Sequence, residues 1–206
     1  LVRSRGLGDV YKRPGKSTLA KIIGEFQNSN LCVVSGLALG IDAAAHQAAL
    51  DNNLPTIAVL GSGLRRPYPL QNKKLFNDII ENGGLVLSEY PVDAEPISFH
   101  FPMRNRIVSG LSECTLVAEA ALKSGALITA RLCLEQNREL LCIPGAISNP
   151  ATAGVYKLLK EGAGIVTCGQ DILNNMGWEL SKREAKTENS GEFTEEEELV
   201  LEFIES

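Results

Sequence analysis

The chain has 206 residues, 44% hydrophobic and 22% charged, with a formal net charge of −5, a composition ordinary for one substantial globular domain with a small appendage. No apolar run approaches the ~18–20 residues that span a bilayer, and no secretory leader precedes the first helix, so a cytoplasmic protein without membrane contact is expected. Five scattered cysteines show no metal-ligand spacing, and their odd count argues against a disulfide framework; Cys32, Cys114 and Cys142 lie in apolar runs and read as buried thiols.

Residues 1–14 show neither strand alternation nor helical periodicity and are expected to be foreign to the fold or without order. Gly15-Lys16-Ser17-Thr18 imitates a nucleotide-binding P-loop, but that motif needs a glycine five positions before Gly15, where Val10 stands. Lys-Ser-Thr therefore reads as the start of a helix over Ser17–Phe26. A doubly wound domain should open with a strand ahead of that helix, and none is visible. The alternation is regular from there: a strand at Leu31–Ser35 ending in Gly36, a helix from Ile41 to Asn52, and a strand at Thr56–Leu60 ending in Gly61-Ser62-Gly63. A helix from Asn72 to Asn82 stops at Gly83-Gly84 and leads to a strand at Leu85–Ser88. The loop from Glu89 to Pro102 is too long for a simple connection, which predicts a task for it. A helix holding Arg104, a strand at Thr115–Ala118, a helix from Ala126 to Asn137 and a strand at Leu140–Ile143 follow. Further elements are a helix from Asn149 to Glu161, a strand near Gly164–Thr167 and a helix from Gln170 to Met176. Strands alternating with such helices predict an α/β fold with a doubly wound, mainly parallel Rossmann-like sheet over residues 15–178. Residues 179–192 read as a linker, and 193–206 as the start of a truncated further domain, Thr194 capping a helix with acidic residues in its first turn. Residues 179–206 carry ten Glu against three Lys/Arg, leaving residues 1–178 at +2. A body so near neutrality binds nucleic acid only through a focused groove.

In such sheets ligands bind outside the strand carboxyl ends. Ser35-Gly36, Gly61-Ser62-Gly63 and the loop before Arg104 all fall at that edge. Arg104 and Arg106 flank Asn105 at one helix start, and Lys123-Ser124-Gly125 open the next, the cations and free amides that a phosphate-bearing ligand requires. Tyr68 and Phe101 are aromatics in Pro-containing loops beside basic residues, the stacking arrangement of single-strand binders. Asp42 and His46 stand one helical turn apart, which suits internal hydrogen bonding better than catalysis. Glu89 and Glu119 follow strands near the crevice, but no nucleophile with an activating base emerges.

Several motifs in series carry a family resemblance: Ser35-Gly36-Leu37-Ala38-Leu39-Gly40-Ile41-Asp42 with Ala45-His46; Gly61-Ser62-Gly63-Leu64 with Tyr68-Pro69; Ser88-Glu89-Tyr90; Phe101-Pro102-Met103-Arg104-Asn105-Arg106; Lys123-Ser124-Gly125-Ala126-Leu127-Ile128-Thr129-Ala130; and Ile143-Pro144-Gly145. From about Gly15 to Trp178 the chain resembles the DNA-processing DprA/Smf family. The resemblance implies an extended Rossmann domain that binds single-stranded DNA without sequence preference. It also implies protection of incoming DNA in natural transformation, help in loading the RecA recombinase, a homodimer, and no metal or nucleotide cofactor. Phe101 would stack on a base, and Arg104, Arg106 and Lys123 would hold phosphates. Ser35, Gly36, Gly61, Ser62 and Gly125 would supply backbone and hydroxyl contacts, with Asn105 and Ser124 completing the set. Two features depart from the family pattern. The first strand with its Gly-Ser/Thr-Arg turn has only Ser4-Arg5 as an imitation, and a small helical domain before the core is absent; the end of the chain resembles only the opening of a winged helix. The rival expectation is a nucleoside-monophosphate phosphoribohydrolase, whose Pro-Gly-Gly-x-Gly-Thr-x-x-Glu signature is replaced here by Leu122–Thr129.

Overall fold

The computed structural model describes residues 14–181. The segment up to residue 13, most of the expected linker and the helix start at Thr194 lie outside the described residues. Within them the elements alternate as the sequence predicts: α1 Pro14–Gly24, β1 Val33–Ser35, α2 Ile41–Asp51, β2 Thr56–Leu60, α3 Lys73–Glu81, β3 Leu85–Ser88, α4 His100–Gly110, β4 Cys114–Val117, α5 Ala126–Glu135, β5 Glu139–Cys142, α6 Ala153–Lys160, β6 Gly164–Ile165 and α7 Gly169–Met176. Helix α4 begins two residues before Pro102, which therefore sits in the first turn, where its missing N–H breaks no intrahelical bond. Every strand pair among these residues is parallel, so the fold is the α/β Rossmann-like class that the alternation implies.

The two faces of the sheet follow from the period of two along β5. Leu141 and Ile143 pack with α1, α2 and α7 in one core, together with Leu19, Ile22, Phe26, Ala45, Val166 and Ile172. Leu140 and Cys142 pack on the other face with Ala130, Cys133, Val155 and Leu158 of α5 and α6. A third core joins Ala58 and Leu60 of β2 to Leu75 and Ile79 of α3.

The sheet itself is divided. Strands β1-β2-β3 form one three-stranded sheet and β4-β5-β6 another, and no ladder links β1 to β4. A right-handed crossover through α1 would set a strand beside β1; no described residue supplies one, and among the described residues the halves meet through helices. One expectation about the cysteines is corrected. Cys142 is buried in β5, but Cys114 is only half-buried and Cys32 is exposed.

Candidate nucleic-acid interface

The loop after β1 is fixed from two sides. Asp42, in the first turn of α2, accepts the N–H groups of Gly36 (3.1 Å) and Ala38 (3.3 Å). The Asn72 amide donates to the carbonyls of Leu37 (2.8 Å) and Ala38 (3.2 Å). Between these clamps Leu37 is buried with φ of 56°, a left-handed conformation that costs a branched residue free energy. Asp42 and His46 both serve the fold. His46 is buried, with Nδ1 2.7 Å from the Thr56 hydroxyl.

Arg104 differs most from its expected role. It is 4% exposed, and its guanidinium donates to the carbonyls of Gly36 (2.7 Å) and Val59 and to Asn105 Oδ1 (3.2 Å). It ties the carboxyl ends of β1 and β2 to α4 rather than facing outward. The fit is close: a Cβ on Gly36 would lie 2.5 Å from Arg104 Cζ. Gly36, Gly61 and Ser62 are likewise buried. The Gly36 amide is taken by Asp42, Gly61 lies under the Phe101 ring, and the Ser62 hydroxyl donates to the Arg66 carbonyl at 2.7 Å. The Arg104 guanidinium, the Gly36 amide and the Ser62 hydroxyl are thus engaged within the rim itself, and Gly61 is covered by Phe101.

The remaining candidates are accessible. Phe101 is half-buried against Gly61, with its ring 5.5 Å from that of Tyr68, which is 46% exposed. Ser35, Phe101, Asn105, Ser124 and Gly125 line one cavity of about 1100 Å3, which Gly36 and Arg104 also border. Lys123 is exposed on a neighbouring cavity of about 490 Å3, beside Arg131 and Lys157; Ser124 and Gly125 line both. Ser124 Oγ accepts the Ala126 N–H at the start of α5 (3.2 Å), and Gly125 has open space where a side chain would stand. Arg106 is exposed and paired with Glu89. Sequence reasoning therefore brings Ser35, Phe101, Asn105, Ser124 and Gly125 to one crevice, with Lys123 on the adjoining one and Arg106 on neither, and misses that Arg104 faces inward. Only the burial of α4 against β2 reveals that.

The long loop after β3 also has its task. Gly63 N–H donates to Ala94 O (2.9 Å), Arg65 N–H to Val92 O (3.0 Å), and Arg65 and Arg66 pair with Asp93 (3.2 Å) and Glu95 (3.4 Å). It holds the loop that carries Tyr68 beside Phe101. Among the described residues no helix is long and apolar enough to cross a membrane.

The model of the DNA recombination-mediator protein A family matches residues 10–177. The chain is 46% identical over 173 residues to protein Smf of Escherichia coli K12, covering 84% of this chain and 46% of that protein. It is 48% identical over 161 residues to the DNA processing protein DprA of Streptococcus pneumoniae R6, covering 78% and 56%. The chain thus spans about half the length of these curated relatives. Among solved structures, S. pneumoniae DprA superimposes with a TM-score of 0.74 at 44% identity, over 80% of this chain and 58% of that one. The DNA processing protein A of Helicobacter pylori, described for its unique single-stranded DNA binding mode, gives 0.72 at 32% identity, over 82% and 77%. Because the matched span runs from α1 through the rim to α7, the chain belongs to the DNA recombination-mediator protein A family, the DprA/Smf proteins.

Proposed function

We propose that this chain binds single-stranded DNA without sequence preference along the rim between Phe101 and Lys123. One observation carries this reading: Phe101 and Asn105 of α4 and Ser124 and Gly125 at the start of α5 line the same large crevice, which reaches the strand carboxyl ends at Ser35 and Gly36 and extends along the seam between β1 and β4. Similarity to the H. pylori protein, whose single-stranded DNA binding has been described, supports it. Phe101 stacks on a base, with Tyr68 behind it. Lys123 and the amino end of α5 attract phosphate through charge and dipole. Arg106 contributes by exchanging Glu89 for a phosphate, and an exposed ion pair, worth about 0–1 kcal/mol, costs little to open. Arg104, Gly36, Gly61 and Ser62 position the rim. These groups hold backbone and base faces rather than base edges, which is why the binding is indifferent to sequence.

In the longer protein this module protects incoming DNA during natural transformation and helps load RecA, acting as a homodimer without metal or nucleotide cofactor. It is a binding module rather than an enzyme, a reading supported by the engagement of Asp42 and His46 in structural hydrogen bonds. Fluorescence-anisotropy titration with labelled oligo-dT, beside a nucleoside-monophosphate hydrolysis assay, tests this. Binding that weakens as salt rises is expected; turnover without DNA binding would replace it with the phosphoribohydrolase reading. Nuclease protection, RecA-dependent strand exchange and sedimentation of the full-length protein test the finer parts.

A further inference from the structure

Two leucines stand exposed beside the rim, and the backbone around them holds them there. In the loop after β1, the left-handed turn at Leu37 sends that side chain into the core with Ala58, Leu60 and Ile79. Leu39, two residues on, is left 60% exposed ahead of Gly40, whose φ of 104° favours glycine. The second leucine opens the short 3₁₀ turn Leu70–Asn72. With three residues per turn, positions two apart point to different sides. Asn72 is therefore turned inward and buried, while Leu70 faces outward at 71% exposure. The bonds from the Asn72 amide to the Leu37 and Ala38 carbonyls bring this turn against the loop that carries Leu39. Tyr68, two residues before Leu70, stands beside the Phe101 ring, and Leu39 borders the same crevice as Phe101. One exposed leucine is ordinary. A set of apolar side chains on fixed backbone, running on from an aromatic pair, marks a contact surface.

Positive charge follows directly. Lys73 and Lys74 open α3, are exposed, and have no ion pair among the described residues. The first turn of α3 holds no acidic residue. Arg65 and Arg66, in the same connection, are instead paired with Asp93 and Glu95. We propose that the single-stranded DNA site has a second arm, leading from Phe101 past Tyr68 to the start of α3 and away from Lys123. In this arm Leu39 and Leu70 contact the faces of unpaired bases, and Lys73 and Lys74 hold phosphates. The proposal rests on the reading of the rim as a DNA site. Leucine has no donor or acceptor with which to tell one base edge from another, so the arm adds affinity without sequence preference. It does discriminate strand state. A duplex keeps its base faces stacked inside, whereas an unpaired strand can offer them to the leucines. Leu39 and Leu70 are thus specificity-determining residues for single strands over duplex.

The test compares wild type, Leu39→Ala/Leu70→Ala, Lys73→Ala/Lys74→Ala and Phe101→Ala by fluorescence anisotropy. The probes are labelled oligo-dT, the same strand annealed to oligo-dA, and an oligomer of equal length whose sugars carry no bases. The leucine variant should bind oligo-dT about five-fold more weakly or worse, with its salt dependence nearly unchanged. It should bind the duplex and the base-free oligomer as wild type does. The lysine variant should weaken on all three probes. Its slope of log K against log salt on oligo-dT should flatten by about 1.4, two phosphates at ~0.7 each. Urea midpoints should match wild type in both, because the replaced side chains are exposed. Wild-type affinity of the leucine variant for oligo-dT would overturn the proposal. So would an equal loss on the base-free oligomer, or a wild-type salt slope in the lysine variant. If Phe101→Ala weakens binding while both new variants match wild type, the second arm fails and the rim stands. If wild type itself does not bind oligo-dT, both fall.

Discussion

Thr56 has one hydroxyl proton, and it goes to the Val33 carbonyl at 2.8 Å. Its oxygen must then accept from His46 Nδ1, which fixes the tautomer and leaves Nε2 as a buried acceptor without a partner. Burial therefore lowers the His46 pKa from 6.5 to about 4, only partly opposed by Asp42. A group that binds its proton more readily unfolded than folded removes stability as pH falls. Stability is unaffected above the unfolded value, falls as pH drops from about 6.5 to 4, and the loss reaches about 3 kcal/mol once both states are protonated. Urea unfolding of wild type and His46→Gln across this range should show a steeper decline in the wild type; parallel curves would contradict the assignment. At the rim, Phe101→Ala should cost ~1–3 kcal/mol of oligo-dT affinity with little change in salt dependence, since stacking releases few counterions. Lys123→Ala should instead reduce the slope of log K against log salt by about one. A slope unchanged in Lys123→Ala, or an affinity unchanged in Phe101→Ala, would reassign those residues to packing.

Loops rather than helices decide where the candidate site residues stand. The turn after β2 is pinned by the segment Pro91–Glu95, and Gly63 lies so close beneath it that a Cβ would meet the Val92 carbonyl at 2.2 Å. Backbone rather than a flexible side-chain tip occupies that space, so Gly63→Ala must push the two loops apart. It should destabilise by ~1–3 kcal/mol and also weaken oligo-dT binding, because Tyr68 and Phe101 separate. Gly125→Ala, which meets nothing within 4 Å, should leave stability nearly unchanged and serves as the control for stability alone, since Gly125 belongs to the proposed phosphate site. Such loop contacts explain what could be read from the sequence. The elements were legible because α3 and β2 announce themselves through periodicity, and the site edge was legible because glycine turns follow strands. The orientation of Arg104 was not, since a cation after a proline looks the same whether it faces solvent or two strand-end carbonyls separated by 45 and 68 residues in sequence.

Among the described residues no ladder joins β1 to β4, and the two half-sheets are coupled by α4, which packs against β2 and α5, and by α1. Its buried face carries Leu19, Ile22 and Ile23, continued by Phe26, which share a core with Ala118, Leu141, Ile143 and Val166 from the second half. Just beyond its end, the Glu25 carboxylate accepts the Gly169 N–H that opens α7 (2.6 Å), and the Phe26 ring lies against Gly169. A protein joined this way unfolds as one unit only while that shared core is intact, because cooperativity comes from surface that both halves bury together. Phe26→Ala removes the largest side chain at that junction and should cost ~3–5 kcal/mol. It should also lower the urea m-value or split the transition in two, since each half then exposes its surface separately. Leu158→Ala offers the comparison, because Leu158 belongs to the core of α5 and α6 alone. Its loss should cost ~2–5 kcal/mol and shift the midpoint while the m-value stays near that of wild type. A single transition with the wild-type m-value in Phe26→Ala would mean that the halves are coupled elsewhere. Loss of cooperativity in both variants would place the weakness in the second half rather than at the junction.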